Sequence, residues 1–201
     1  MGSRTRRHTT PRRSDTSDPS RSRERALRVL FQADLRGVEP TVTLARLDAD
    51  PDARSLLDDR DRLTDETPIE PPPEPDDSGP AGTSSGWTDA PRSASSPELD
   101  GFTRTLVRGV EEHRQEVETL ITRYSRRWAI ARMPVVDRNV LRLATYELLH
   151  EPTPPAVVID EAVDLAKRLS TDDSGRFVNG VLESIRKDIA DTQRTSAELG
   201  D

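Results

Sequence analysis

Apolar side chains that return at steps of three, four and seven confine the second half of this chain to helices. Phe102, Leu106, Val110, Val117, Leu120, Ile121 and Tyr124 trace one stripe, either a single long amphipathic helix or two interrupted near Gly109. Pro134 suits the first turn of the next helix, which buries Val136, Val140, Leu143 and Ala144 and ends at Pro152, Pro154 and Pro155. Val158, Ala162, Leu165, Ala166 and Leu169 make a further face. After a polar turn over 170–175, Val178, Val181, Leu182, Ile185 and Ile189 make the last. Nearer the start, Leu27, Leu30, Phe31 and Leu35 form a stripe behind Ser22 as N-cap and before Gly37. No segment alternates long enough to predict a strand, and Ala156–Ile159 is only a short apolar run. The expected class is all-α, with short connections in the second half implying antiparallel neighbours.

The stripes do not cover the chain. Residues 48–100 hold 11 apolar side chains in 53, against 38 in 90 over 101–190, so a folding domain is diluted by polar segments. Residues 48–100 also carry fifteen acidic and four basic side chains and nine prolines, including Pro71-Pro72-Pro73. Such a segment cannot bury enough surface to offset its conformational entropy and is expected to be a disordered insertion. Helical turns around Ala53–Leu63, with Leu56 and Leu57 touching the core, are compatible with it. Trp87 reads as a solvated aromatic within it. The expected organisation is a disordered arginine-rich arm over 1–20, a helical domain over 21–47 and 101–190, the insertion over 48–100, and a frayed tail over 191–201.

Several function classes drop out. The chain has no cysteine, hence no disulfide, thiolate metal site or cysteine nucleophile, in keeping with a reducing cytoplasm. No run approaches the ~18 apolar residues of a membrane span, and the first residues lack the apolar stretch of a secretory signal. There is no glycine-rich phosphate loop and no nucleophile elbow. His8, His113 and His150 are too scattered in sequence for metal-ligand spacing. Asp160-Glu161 and Asp172-Asp173 read as charges at helix starts. The expectation is a non-enzyme with no catalytic residues, no metal and no cofactor.

The net charge of −7 hides a segregation that points to nucleic acid. Residues 1–28 hold nine arginines against three acidic side chains. A flexible arginine-rich segment leading into a helix can contact several phosphates and stack guanidinium planes on unpaired bases. Arg21, Arg23, Arg25 and Arg28 lie nearest the helix and are the candidate nucleic-acid contacts, the alternative being a solvated basic leader with no partner; Arg4 to Arg13 would act as a diffuse attractor.

Five ordered segments resemble the NusB family of bacterial transcription antitermination factors. Arg23-Glu24-Arg25-Ala26-Leu27 through Phe31-Gln32-Ala33-Asp34 is similar to the family's opening helix. Phe102 to Val110 (FTRTLVRGV) resembles the helix after the first loop, and Val140 to Leu148 resembles an "LR-A-YEL" helix. PPAVVIDEAVDLAK, running from Pro154 to Lys167, and FVNGVL, from Phe177 to Leu182, resemble "P-V-INEAVELAK" and "FVNGVLD". The chain departs from the pattern in its long acidic insertion and in Asp160, where the family commonly has asparagine.

The resemblance implies a fold of two small helical subdomains. It also implies a partner, NusE (a small-subunit ribosomal protein), and joint binding of boxA-type RNA in ribosomal RNA transcripts within the elongation complex. Carried over by motif, Phe177 with Arg176 and Asp173 would lie beside the RNA, and Phe31 with Leu27 and Asp34 would face NusE. For Phe177 the alternative is an anchor for the last helix, and for Phe31 it is core packing with Leu27 and Leu30. Trp128, Tyr124 and Tyr146 read as core, Glu147 as an acceptor across the subdomain boundary, and Asn179-Gly180 as a close helix crossing. Two other functions stay open: a protein-interaction adaptor, and a stand-alone relative of the NusB-like domain of ribosomal RNA methyltransferases.

Overall fold

A computed structural model describes residues 18–58, 98–125 and 128–199. The expected disorder of the distal arm and of most of the insertion, including Trp87, lies outside the described residues. Within them the chain forms α1 (Pro19–Arg36), α2 (Pro40–Ala49), α3 (Pro51–Asp58), α4 (Gly101–Glu112), α5 (Arg114–Tyr124), α6 (Val135–His150), α7 (Pro155–Leu169) and α8 (Ser174–Leu199). A 3-10 turn, Ile130–Arg132, precedes α6, and no strand occurs among the described residues. No helix there is long and apolar enough to cross a membrane.

The helices form two packed groups. Helices α1 to α4 pack on one another, α5 to α8 do likewise, and α6 joins the groups by lying against α1 and α4. Its position explains its composition: Val140, Leu141, Leu143 and Ala144 are buried, and so are Asp137, Asn139, Arg142, Thr145 and Glu147. A helix buried on nearly all sides needs partners for its polar groups. Asp137 finds one in Ser174 of α8, Asn139 and Arg142 in Asp34 of α1, Arg142 also in Glu118 of α5 at 2.7 Å, and Glu147 in Arg23 of α1. The Thr145 hydroxyl has no partner among the described residues.

Local chemistry moves several boundaries from their expected places. Helix α1 starts at Pro19, with Asp18 as N-cap accepting from the Ser20 amide at 3.2 Å. Ser22 is therefore not the cap; it is buried, and its hydroxyl donates to Asp100 Oδ1 at 2.8 Å. Gly37 closes α1 in the left-handed region, at φ 64°. Helix α2 forms where no apolar stripe was read, mostly within the expected helical domain, and α3 overlaps the helical turns anticipated around Ala53–Leu63. Pro40 and Pro51 sit in their first turns, and Leu44, Leu47 and Leu57 enter the core.

The break between α4 and α5 falls at His113 (φ −101°, ψ 17°) instead of Gly109, which stays helical and buried. Ala156–Ile159 belongs to the first turns of α7. The anticipated crossing at Asn179-Gly180 does not form, since both residues are exposed and a Cβ at Gly180 would meet nothing within 4 Å. Helix α8 runs to Leu199, into the tail expected to fray, and neither proline nor glycine interrupts it before Gly200.

Candidate nucleic-acid interface

The arginines nearest α1 are not a flexible arm. Arg23, Arg25 and Arg28 lie within the helix and are buried, each with a carboxylate or carbonyl partner; only Arg21 of the four is exposed. Arg23 makes a fork-to-fork pair with Glu147 of α6, with Nε 2.9 Å from Oε2 and the second nitrogen on Oε1. Its guanidinium also lies over the Phe102 ring, 5.4 Å from the centroid. Burial pulls the Arg23 pKa down, but the Glu147 hydrogen bond and charge outweigh it and leave it raised. Glu147 is thus an acceptor across the two groups of helices, as its place after Tyr146 suggested.

Arg25 and Arg28 are held in the same way. Arg25 pairs with Asp100 at 3.3 Å. Asp100 caps α4 by accepting from the Thr103 amide at 2.8 Å, and also accepts from the Thr103 and Ser22 hydroxyls. Burial would raise the Asp100 pKa, yet those hydrogen bonds, with that of Arg25, hold it below the usual carboxylate range. Arg28 donates to the Leu57 carbonyl at 2.6 Å and pairs with Glu24 at 2.8 Å, while Arg168 reaches the other Glu24 oxygen at 3.2 Å. These arginines fasten α1 to α3, α4, α6 and α7. The sequence marked them as cations but could not reveal carboxylates far along the chain.

A different surface presents aromatic rings. The Trp128 and Phe177 rings meet edge to face, 5.5 Å between centroids and inclined by 73°. Trp128 is 44% exposed, which corrects its reading as core, and Phe177 is half-buried. Phe177 both packs against the core and borders the surface, so its two readings coexist. Arg176, Asp172 and Asp173 beside it are exposed, as is Arg132 at the end of the 3-10 turn.

A buried lock fixes the platform. The Ser174 hydroxyl donates to Asp137 Oδ2 of α6 at 2.9 Å, and the Thr171 amide donates back to Ser174 Oγ at 3.2 Å. The first turn of α8, with Phe177, is thereby held against the first turn of α6. Bases stack on such rings with little sequence preference, and neighbouring arginines add phosphate contacts.

The candidate partner face is also reshaped. Leu27 is 2% exposed and belongs to the core, so it cannot meet a partner directly. Asp34 is committed to α6: it accepts from Arg138 Nε at 2.6 Å, Asn139 Nδ2 at 3.0 Å and Arg142 at 3.1 Å. Burial would raise its pKa, but these donors together keep it lowered. Phe31 is half-buried. One turn on, Leu35 is 63% exposed on the same face of α1, and Val38 and Val42 are exposed beyond Gly37. That apolar surface escaped the sequence reading because Leu35 fits the buried stripe.

One further constellation was hidden by sequence distance. His113, Glu116 and His150 come together, with one ligand atom from each lying within 4.8 Å of the others. The scatter of the histidines in sequence is therefore no obstacle, since α5 and α6 pack side by side. Tyr146, buried as anticipated, stacks on the His150 ring at 5.2 Å, and Tyr124 packs half-buried against the core.

Comparison with known proteins places this architecture. The sequence model of the NusB family matches residues 84–187. The transcription antitermination protein NusB of Saccharopolyspora erythraea is 41% identical over 168 residues, 83% of this chain and 84% of the relative. Among solved structures, Thermotoga maritima NusB superposes with a TM-score of 0.56 at 32% identity, covering 85% of this chain and 92% of that one. A crystal structure of antitermination factors NusB and NusE in complex with dsRNA shares the fold at a TM-score of 0.51 and 24% identity, covering 84% of this chain and 95% of that one. With a family match over half its length and a relative this similar over most of its own, the chain belongs to the NusB family.

Proposed function

We propose that this chain is a transcription antitermination factor that binds single-stranded boxA-type RNA of ribosomal RNA transcripts together with NusE. It acts in the cytoplasm as part of the transcription elongation complex. The observation that carries this reading is the edge-to-face pair of exposed Trp128 and half-buried Phe177, with exposed Arg176 preceding Phe177 in α8 and the Ser174–Asp137 lock holding that turn. Such a platform suits unpaired bases better than a duplex, whose bases are already stacked. Family membership supports the protein partner, as does the fold shared with a complex of NusB and NusE with dsRNA.

Within this reading the arginines divide by task. Arg23, Arg25 and Arg28 hold α1 in place, while Arg21 and Arg176, both exposed, are the ones to meet phosphates. Asp173 next to Phe177 opposes phosphate approach and favours a register in which a base, not the backbone, covers the ring. The test is a titration of labelled single-stranded boxA-type RNA with the full chain, alone and with NusE. Tighter binding by the pair than by either protein supports the proposal. Equal affinity with and without NusE would leave a protein-interaction adaptor.

A further inference from the structure

We propose that His113, Glu116 and His150 form a surface site for a borderline divalent transition metal, Zn2+ in the first instance. Two of the chain's three histidines take part, from places 37 positions apart in sequence. His113 sits in the break between α4 and α5, Glu116 in the first turn of α5, and His150 at the last residue of α6.

The distances suit a metal. Glu116 Oε2 lies 3.3 Å from His113 Nδ1 and 3.1 Å from His150 Nε2. Around a tetrahedral Zn2+ with bonds of ~2.0–2.1 Å, neighbouring ligand atoms are separated by ~3.3 Å. Both separations therefore match edges of that tetrahedron, and both converge on one carboxylate oxygen. A ligand set of two imidazoles and one carboxylate favours Zn2+, Ni2+ or Cu2+ over Mg2+ and Ca2+, which prefer all-oxygen shells.

The scaffold is ordered on its protein side. The His113 and His150 rings lie 3.9 Å apart and inclined by 31°, with Tyr146 behind both at 5.8 and 5.2 Å. Tyr146 is itself fixed by its hydroxyl, which donates to Glu151 at 3.0 Å. The imidazoles thus have a backing that limits their rotation, and pre-positioned ligands lose less entropy when they close on an ion. On the other side the three side chains are partly open to solvent, 38%, 51% and 28% exposed in chain order. His113 and Glu116 line a surface depression together with Glu112, Gln115, Thr119 and Leu120. Three protein ligands with an open fourth position is the arrangement that leaves room for water or a donor from a bound partner. An ion held here would tie the α4–α5 junction to the C-terminal end of α6.

The test is calorimetric titration of the full chain with Zn2+, followed by Co2+ substitution read by visible absorption. The expected result is one equivalent bound, a melting temperature that rises with Zn2+, and the intense bands of tetrahedral Co2+. Mg2+ at the same concentration should not compete. His150→Ala and His113→Gln should each weaken binding ~100-fold or more, since even the loss of a supporting group costs ~10–100-fold. His8→Ala should leave the affinity unchanged. Circular dichroism confirms that the variants fold; the His113 and His150 side chains are partly exposed. Absence of stoichiometric Zn2+ binding, or binding that survives His150→Ala and His113→Gln or is lost with His8→Ala, would overturn the proposal.

Discussion

The ring of Tyr146 lies directly against Gly109, so that a Cβ built on the glycine would fall inside the phenol. The contact joins α4 to α6 and gives the mid-helix glycine a steric role, because a side chain there would displace the ring. Replacing it by alanine would ordinarily gain up to ~1 kcal/mol of helix stability. Here the forced displacement of a buried ring costs ~1–3 kcal/mol, so the clash wins. Gly109→Ala should lower the urea midpoint with an unchanged slope. The control Gly180→Ala, where a Cβ meets nothing within 4 Å, should raise it.

Tyr146 carries a second consequence. Burial first, and then the hydrogen bond and charge of Glu151, push its pKa up from the ordinary 10.0 to about 12. A raised pKa means the folded state holds the proton more tightly than the unfolded chain does. The corresponding stability is therefore complete below pH ~10 and lost as pH rises toward the folded value. In a Tyr124→Phe background Tyr146 is the sole tyrosine, and its phenolate absorbance should appear with a midpoint near pH 12. A midpoint near 10 would show that the ring is not held as described.

The Arg23–Glu147 pair should behave as structure and not as an RNA contact. Both side chains are nearly inaccessible, 5% and 1% exposed, so removing one leaves the other as a buried charge without its main partner. Such a loss typically costs ~3–5 kcal/mol. Arg23→Ala and Glu147→Ala should each destabilise strongly in urea, whereas the double variant Arg23→Met/Glu147→Leu should recover much of the loss. If Arg23→Ala instead keeps its stability and loses RNA affinity, the arginine serves RNA.

These outcomes bear on what the sequence can reveal. The helices of the second half were legible because Val140, Leu143, Ala144 and their counterparts repeat at helical spacing and are buried where that spacing puts them. Helix α2 was not, and α3 showed only as helical turns around Ala53–Leu63. They contribute only Leu44, Leu47 and Leu57 to the core from a background of charge and proline, too few residues for a period to emerge. The arginines of α1 illustrate a different limit. Composition identifies a cation, but whether it meets phosphate or carboxylate depends on residues such as Asp100 and Glu147, which only the fold brings near. His113 and His150 failed for the same reason. Trp128 was misread because an aromatic in a short connection carries no periodicity that could tell a buried ring from an exposed one.

The aromatic platform predicts coupled losses of RNA affinity. Stacking on one ring is worth ~1–3 kcal/mol per base, so Trp128→Ala and Phe177→Ala should each weaken single-stranded RNA binding within that range. Because the rings touch edge to face, their effects should not add, and the double variant should lose less than the sum. Arg176→Ala should act differently, lowering affinity across sequences and flattening the salt dependence by ~0.7 for one phosphate contact. The measurement is a fluorescence titration at several salt concentrations. Full additivity of the aromatic pair would mean that the rings do not form one surface for the RNA.

The apolar end of α1 offers the sharpest test of the proposed protein partner. Phe31 alone is ambiguous, since a half-buried phenylalanine replaced by aspartate can fail through lost packing as readily as through a lost contact. Leu35, on the same face and 63% exposed, removes that ambiguity. A surface leucine outside the core changes stability by less than ~0.5 kcal/mol when replaced, yet an aspartate within an apolar interface would be left without water or a partner. Leu35→Asp should therefore keep the circular dichroism spectrum and urea midpoint, keep the RNA affinity of the isolated chain, and lose association with NusE by about tenfold or more, or ~1.4 kcal/mol. The readout is binding to immobilised NusE without RNA. Unchanged affinity for NusE would place the partner on another surface of the bundle and leave the exposed Leu35, Val38 and Val42 to some other contact.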